Sequence, residues 1–280
     1  MIRALFSGDE PALEAFLKQH ADTSMFLRSN LRAAGLGYEG KPFQAQYVAA
    51  FDDGGIAAVV AHCWNDMLLV QAPVQVEAVA RAAVARSGRP VVGLSGPADQ
   101  VAAARHALGL DDRPSTTFGR EELFALDLAD LVVPKRFTDG RWSTRCPRSD
   151  ELERLTDWRV DFALEALKRS NAPGLREECR REVTLLHERQ SDWVLEDEGS
   201  VVAYSAFNAA LPDIVQVGGV WVPAGLRGRG YGRGVVAGSL LDARRRGVSR
   251  AVLFAEREDA KRAYIGIGFE RKGSFGFVLF

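Results

Sequence analysis

One glycine- and arginine-dense run constrains this chain more than any other segment: Val220-Trp221-Val222-Pro223-Ala224-Gly225-Leu226-Arg227-Gly228-Arg229-Gly230-Tyr231-Gly232-Arg233-Gly234. It follows the β-rich run DIVQVGGVWVP and precedes a helical pattern over about 235–246. Glycines at 228, 230, 232 and 234 let the backbone approach a ligand closely. Their amides and the free N–H groups of the following helix face a common point, which suits phosphate. Arg227, Arg229 and Arg233 add charge where a pyrophosphate needs it. Two familiar phosphate loops are excluded. No Lys-Ser or Lys-Thr follows the glycines, so the Walker pattern fails. The dinucleotide pattern GxGxxG meets Arg233 or Val235 at its sixth position. The run satisfies R-x-x-G-x-G instead, through Arg227, Gly230 and Gly232.

The chain around it reads as one architecture used twice. In the first half, Asp9 caps a helix to about Gln19, with Leu13, Phe16 and Leu17 on one stripe. A second helix spans about Ser24 to Ala34, and GLGYEGKP breaks it. QAQYVAAFD and GIAAVVAHCW form a hairpin about Asp53-Gly54-Gly55. MLLVQAP is a short strand, and a helix then ends at Gly88. VVGLSG is a buried strand, QVAAARHALGL a helix and ELFALDLADL an alternating strand. The second half repeats that order: two helices over about 150–190, three strands, the glycine/arginine loop, a helix, AVLFAE, a helix over about 259–266, and the closing strand GSFGFVLF. No direct sequence repeat accompanies the repeated order. The polar stretch from about Pro134 to Pro147 is the expected boundary, giving domains of 1–135 and 145–280. At 280 residues the chain has the length for two domains.

Composition narrows the partners. The formal charge is −1, so no global basic field exists to hold nucleic acid. Residues 1–140 carry −4 and residues 141–280 carry +3, which favours the second half for an anionic ligand. No apolar run reaches about 18 residues, the length of a membrane span. Acidic residues fall within the first ten positions, unlike a signal peptide. Cys63, Cys146 and Cys179 are odd in number and far apart, and the four histidines are scattered. That predicts reduced thiols in a cytoplasmic protein, with no disulfide framework and no metal. GLSGP at 93–97 has Pro97 where a nucleophile elbow needs its second glycine, so Ser95 is no hydrolase nucleophile.

A second motif lies downstream. YIGIGFE, from Tyr264 to Glu270, fits Tyr-x-x-x-Gly-Phe, and Ala260 stands four residues before Tyr264. With R-x-x-G-x-G in the right order, residues 145–280 resemble the GNAT superfamily of acyl-CoA-dependent N-acetyltransferases. The resemblance implies an α/β (α+β) fold of two tandem GNAT-like domains. Each would be a mixed, mostly antiparallel twisted sheet flanked by helices. It implies acetyl-CoA as cosubstrate and a primary amine as acceptor. The acceptor's identity is not legible; the lack of an acidic cluster that would draw a polycation tilts the reading towards a small-molecule, amino-acid-like amine. Two strands would splay after Val220–Val222, and pantetheine would pair with the freed backbone of Val220, Trp221 and Val222. Pyrophosphate would lie on the amides of Arg227, Gly228, Arg229, Gly230, Tyr231 and Gly232, near Arg233. Arg257 stands where the family has Asn, seven residues before Tyr264, and would reach the phosphates or the acceptor. Ala260 and Tyr264 complete the cofactor edge. Tyr264 is the expected acid for the departing thiolate, its phenol being protonated at neutral pH.

The base is not legible. Gln216 and Val217 stand where many relatives place Glu, and neither takes a proton well. Asp213 and Glu256 are weak candidates, and Glu196, Asp197 and Glu198 read as a solvated turn. Trp158, Trp193 and Trp221 are expected in the core, Trp221 nearest the site. The first half has no arginine and no glycine cluster after MLLVQAP. It is therefore expected to be a degenerate domain that binds no CoA and braces the second, roofs its acceptor cleft or mediates homodimerisation. An acyl-CoA-binding sensor without turnover is the alternative function, and a nucleotide-binding module a third.

Overall fold

The computed structural model describes residues 1–115 and 117–280. In chain order the elements are β1 (Ile2–Ala4), α1 (Glu10–Gln19), α2 (Met25–Ala34), β2 (Ala45–Asp52), β3 (Gly55–Cys63), β4 (Met67–Gln71), α3 (Val76–Ser87), β5 (Gly93–Pro97), α4 (Ala98–Ala107) and β6 (Thr117–Asp127). Then come α5 (Lys135–Thr138), β7 (Trp142–Arg145), α6 (Leu152–Glu165), α7 (Leu175–Glu188), β8 (Asp192–Asp197), β9 (Ser200–Ala210), β10 (Ile214–Trp221), α8 (Tyr231–Arg245), β11 (Arg250–Ala255), α9 (Glu258–Ile265) and β12 (Glu270–Leu279).

The chain divides into two compact units, residues 1–122 with 273–280, and residues 123–272. The first unit takes its last strand from the end of the chain: Phe275 to Leu279 of β12 pair antiparallel with Pro97 to Gly93 of β5. The stretch expected as a linker carries α5 and β7. β7 pairs with β8 from Trp142↔Asp197 to Arg145↔Val194 and buries Trp142. Four residues are too short a run for a period to show.

Within the first unit the strand order is β1-β2-β3-β4-β5-β12, antiparallel except for the parallel pair β4/β5. Strand alternation sorts its apolar residues onto two faces. Tyr47, Ala49, Val59 and Ala61 pack with Leu13, Leu17 and Leu31 from α1 and α2. Val48, Val60, Leu68 and Val70 pack with Val79, Ala80 and Val101 from α3 and α4. The hairpin turn is Asp53-Gly54, with Gly55 already paired to Asp52. Asp9 precedes α1 but makes no side-chain cap; its carboxylate instead holds Arg3 at 2.7 and 2.8 Å.

The second unit has the same plan in the order β6-β11-β10-β9-β8-β7. Its parallel pair is β10/β11. Leu155 and Val183 of α6 and α7 cover Val194, Tyr204 and Ala206 on one face. Val235, Val236 and Leu240 of α8 cover Leu195, Ala203, Val215 and Val217 on the other. β7 lies hard against α8: a Cβ on Gly234 would sit 2.6 Å from the Trp142 ring, and one on Gly238 would collide with Thr144. Gly234 thus serves packing rather than ligand approach.

Candidate active site

The site begins where two strands part. β10 and β11 pair in parallel from Ile214↔Arg250 to Val217↔Leu253, and the pairing ends there. β10 continues to Trp221 and β11 to Ala255. The expected splay after Val220–Val222 therefore starts several residues earlier. The cause is an irregularity of β10 against β9. Between Gly218↔Ala206 and Trp221↔Tyr204, three steps on β10 match two on β9. Gly219 takes up the extra residue at φ +61, and a bulge of this kind turns the strand. At Gly218 a Cβ would meet the end of the exposed Asn208 side chain, which would have to move. The Gly218-Gly219 pair inside a β-rich run was the readable signal for this bend.

Beyond Trp221 the chain makes a short 3-10 turn at Ala224–Leu226. Gly228 and Gly230 then adopt φ of +78 and +84, a region that favours glycine. Helix α8 starts at Tyr231, four residues before the expected Val235, so Gly232 and Gly234 belong to its first turn. Its first backbone bond runs from Gly234 N to Gly230 O at 3.1 Å. Among the described residues the amides of Gly228, Arg229, Gly230, Tyr231, Gly232 and Arg233 donate to no backbone carbonyl. Six N–H groups without a backbone acceptor, on a left-handed turn at a helix N-terminus, are a nest-like arrangement that suits an anion.

The arginines divide. Arg229 and Arg233 are exposed. Arg227 is engaged by the protein on all three nitrogens. Its Nη1 and Nη2 meet Glu165 at 2.7 and 2.9 Å, and its Nε donates to Val222 O at 3.0 Å. The guanidinium also lies 4.8 Å from the Trp221 ring centroid. Arg227 braces the loop against α6, and its hydrogen bonds hold the Glu165 carboxyl below the usual range. Arg257, expected at the phosphates or the acceptor, precedes α9 and clasps Asp259 at 3.1 and 2.9 Å, reaching Glu165 at 3.4 Å. Tyr231, expected at the cofactor, donates its hydroxyl to Asp197 at 2.5 Å, and Arg141 holds the same carboxylate at 2.9 Å. Tyr231 can thus offer a ligand its amide but anchors α8 with its phenol. Asp197 is buried, not part of a solvated turn, and these two donors lower its pKa.

Tyr264 is buried on α9, with Phe269 edge-on at 6.2 Å. Val220, Val222, Leu226 and Ala260 pack against the core cluster that contains Tyr264. The structure thus brings the end of β10, the loop and the Tyr264 helix onto one apolar core. Trp221 is buried, and its ring meets Phe162 of α6 edge-on at 6.2 Å. Of the candidate bases, Gln216 is buried and donates to Val217 O at 2.8 Å. Asp213 lies at the opposite end of β10, roughly 25 Å from Trp221 at strand rise. Glu256 is exposed just after β11, on the splayed side. A cavity of about 480 Å³ opens beside the first turn of α8, lined by Lys135, Arg136, Trp142, Arg233 and Gly266 among others.

Among the described residues no group of three or more His, Cys, Asp or Glu could hold a metal, and no helix is long and apolar enough to cross a membrane.

Residues 152–269 match the Acetyltransferase (GNAT) family profile, a span that contains the bulge, the nest and Tyr264. Over this span the chain is similar to the GNAT-family acetyltransferases. No curated protein matches the sequence. Solved structures agree in fold. A GCN5-related N-acetyltransferase from Kribbella flavida shares 18% identity at a TM-score of 0.57, over 91% of this chain and 93% of its own. A tandem GNAT protein from the clavulanic acid biosynthesis pathway shares 13% identity at a TM-score of 0.54, over 99% and 97%. A glucosamine N-acetyltransferase region of a fungal β-N-acetylglucosaminidase shares 17% at a TM-score of 0.55; this chain spans 38% of that protein's length. The family match supports acetyl transfer in general, and the tandem GNAT fold covers the whole chain.

Proposed function

We propose that the second unit transfers an acetyl group from acetyl-CoA to a small primary amine by direct attack in a ternary complex. The six free amides from Gly228 to Arg233 carry this reading, because they lie beside a parallel strand pair that has come apart. A pyrophosphate fits the nest, and the half-buried backbone of Gly218, Gly219 and Val220 offers a strand-like edge to pantetheine. Lys135, Arg136 and Arg233 around the adjoining cavity suit the phosphorylated adenosine end. Acetyl-CoA would supply the activated acyl group. This chain's residues hold the two substrates together, which makes the attack effectively unimolecular. The neutral amine adds to the thioester carbonyl, a β10 amide near the bulge polarises that carbonyl, and Tyr264 gives a proton to the departing sulfur. Water relays the amine's proton outward.

The first unit, in this reading, binds no CoA. Its β4/β5 pair is paired through Leu69↔Ser95, and Gly96 packs directly on the Val70 backbone. The amide of Ala72, first after β4, is already taken by Gln100 Oε1 at 2.6 Å.

Calorimetric titration with acetyl-CoA tests the reading. One site per chain is expected. Tyr264→Phe should bind acetyl-CoA almost normally and turn over about 10- to 100-fold more slowly. Two sites per chain would refute the assignment of the first unit. No binding would refute the transferase.

A further inference from the structure

The polar group that faces the splayed strand from above is Arg159. Three successive turns of α6 track the end of β10 and the loop beyond it. Arg159 Nη1 lies 3.9 Å from where a Gly219 Cβ would stand, Phe162 meets Trp221, and Glu165 holds Arg227. Arg159 donates Nε to Glu182 of α7 at 2.7 Å. Its guanidinium stacks 5.0 Å from the Phe162 ring centroid. Its Nη1 and Nη2 make no hydrogen bond among the described residues. Glu182 and Phe162 therefore fix the plane of a guanidinium whose two-nitrogen end stays available, beside the bulge where acyl transfer is placed.

We infer that Arg159 reads a carboxylate on the acceptor, so that the substrate is an amine bearing a carboxyl group, of the α-amino-acid class. This rests on the transferase reading above and adds the acceptor's chemistry to it. A planar guanidinium with its end free pairs with a carboxylate through two parallel N–H bonds, a geometry that an alcohol, a sugar or a polyamine does not complete. Side-on contact with Glu182 leaves that fork intact and orients it. The surroundings reinforce the pair. The neighbouring rings of Phe162, Trp221 and Tyr204 are largely apolar, and a charge-assisted bond gains strength where water is thinned. Trp221 is 7% exposed and its Nε1–H has no acceptor among the described residues, so the wall also holds an unused buried donor. The carboxylate on Arg159 would set the amine at a fixed distance from the bulge. Arg159 is then a specificity residue and Glu182 a positioning residue.

The test compares α-amino acids with their own carboxamides as acceptors, with acetyl-CoA as donor and thiol release as the readout. The wild-type chain should favour the free carboxylates by at least 10-fold in kcat/KM. In Arg159→Gln that preference should collapse through a raised KM, with kcat at saturation changed little. Arg159→Lys should recover part of it, since an ammonium supplies charge without the fork. Glu182→Gln should loosen the preference less than Arg159→Gln does. Acetyl-CoA titration of each variant checks that the fold and donor site persist. Wild-type preference for carboxamides or polyamines, or an Arg159→Gln variant that keeps the carboxylate preference, would overturn the inference and leave the transferase standing. No thiol release with any amine tested would overturn both.

Discussion

The two units share a plan and differ in the backbone just beyond one strand. Each has one parallel pair beside antiparallel ones among the described pairings: β4/β5 in the first unit and β10/β11 in the second. Each packs a helix pair on one face and later helices on the other. After β4 the first unit runs Ala72-Pro73-Val74-Gln75 into α3, with Gln75 forced to φ +52 and the Ala72 amide bonded internally. After β10 the second unit has a bulge, two left-handed glycines and six unbonded amides. A shared topology therefore leaves ligand capacity undecided. On the proposed function, that capacity lies in whether the backbone beyond the parallel strand is free or already satisfied.

The largest expected effect comes from removing residues 273–280. They pair with Gly93 to Pro97 and bury Phe275 and Val278 in the first unit. Burying two such side chains is worth about 4 kcal/mol, a large part of a domain's net stability. A chain ending at Lys272 should lose hydrogen-exchange protection along β5, while the β10 amides stay protected. Protection retained in β5 would mean that β12 is not integral to the first unit.

Next in size is Gly232→Asp. Its Cβ would meet Val222 only at ordinary contact distance, and an acid in the first turn suits the helix dipole. The fold should survive, yet the new carboxylate faces the place of a phosphate. Acetyl-CoA affinity should fall about 100-fold, as read by calorimetry. An unchanged affinity would separate the nest from the donor site.

These two outcomes bear on what a sequence can tell. The apolar periods of α1 and α2, the Asp53-Gly54 turn and the Tyr264 motif were legible because each is a local pattern. So was the left-handed turn before α8, through glycines at 228 and 230 that the backbone does need. The arginine roles were not. Arg227 meets Glu165 across 62 residues, and Arg257 meets it across 92. No local pattern encodes such pairs, so residues that looked free for phosphate are bonded to protein. The bulge at Gly219 was visible only as a Gly-Gly pair. Arg159 and Glu182 meet only where α6 and α7 pack together, across 23 residues.

A smaller effect tests how each unit treats its buried polar groups. In the first, His62 bonds Ser87 at 2.7 Å and Pro90 O at 3.1 Å. In the second, Asp192 is fully buried at the start of β8, with His187 Nδ1 3.9 Å away. Burial pushes its pKa up to about 6, with His187 pulling the other way. The folded state therefore holds the Asp192 proton more tightly than the unfolded chain does, where the group titrates near 3.8. Its stabilising contribution is full below about pH 4 and is lost as pH rises through about 6. Asp192→Asn should stabilise the fold at pH 8 by on the order of 1–3 kcal/mol, read from thermal melts, and change it little at pH 4. A difference independent of pH would refute the assignment.

The smallest expected effect is the sharpest on the comparison. Gln100→Ala frees the Ala72 amide in the first unit by removing its 2.6 Å acceptor. If a blocked amide were the only barrier to CoA there, a second site would appear. The backbone argues against that. One freed N–H is not a nest, Gln75 offers no glycine turn, and Gly96 still closes β5 against Val70. The variant should bind one acetyl-CoA per chain, as the wild type is expected to, and lose about 1 kcal/mol of stability with the hydrogen bond. A second site in Gln100→Ala would show that the two units differ by one side chain. A single site would show that the difference lies in the backbone, where only glycines at the left-handed positions and an irregular β4 could reverse it.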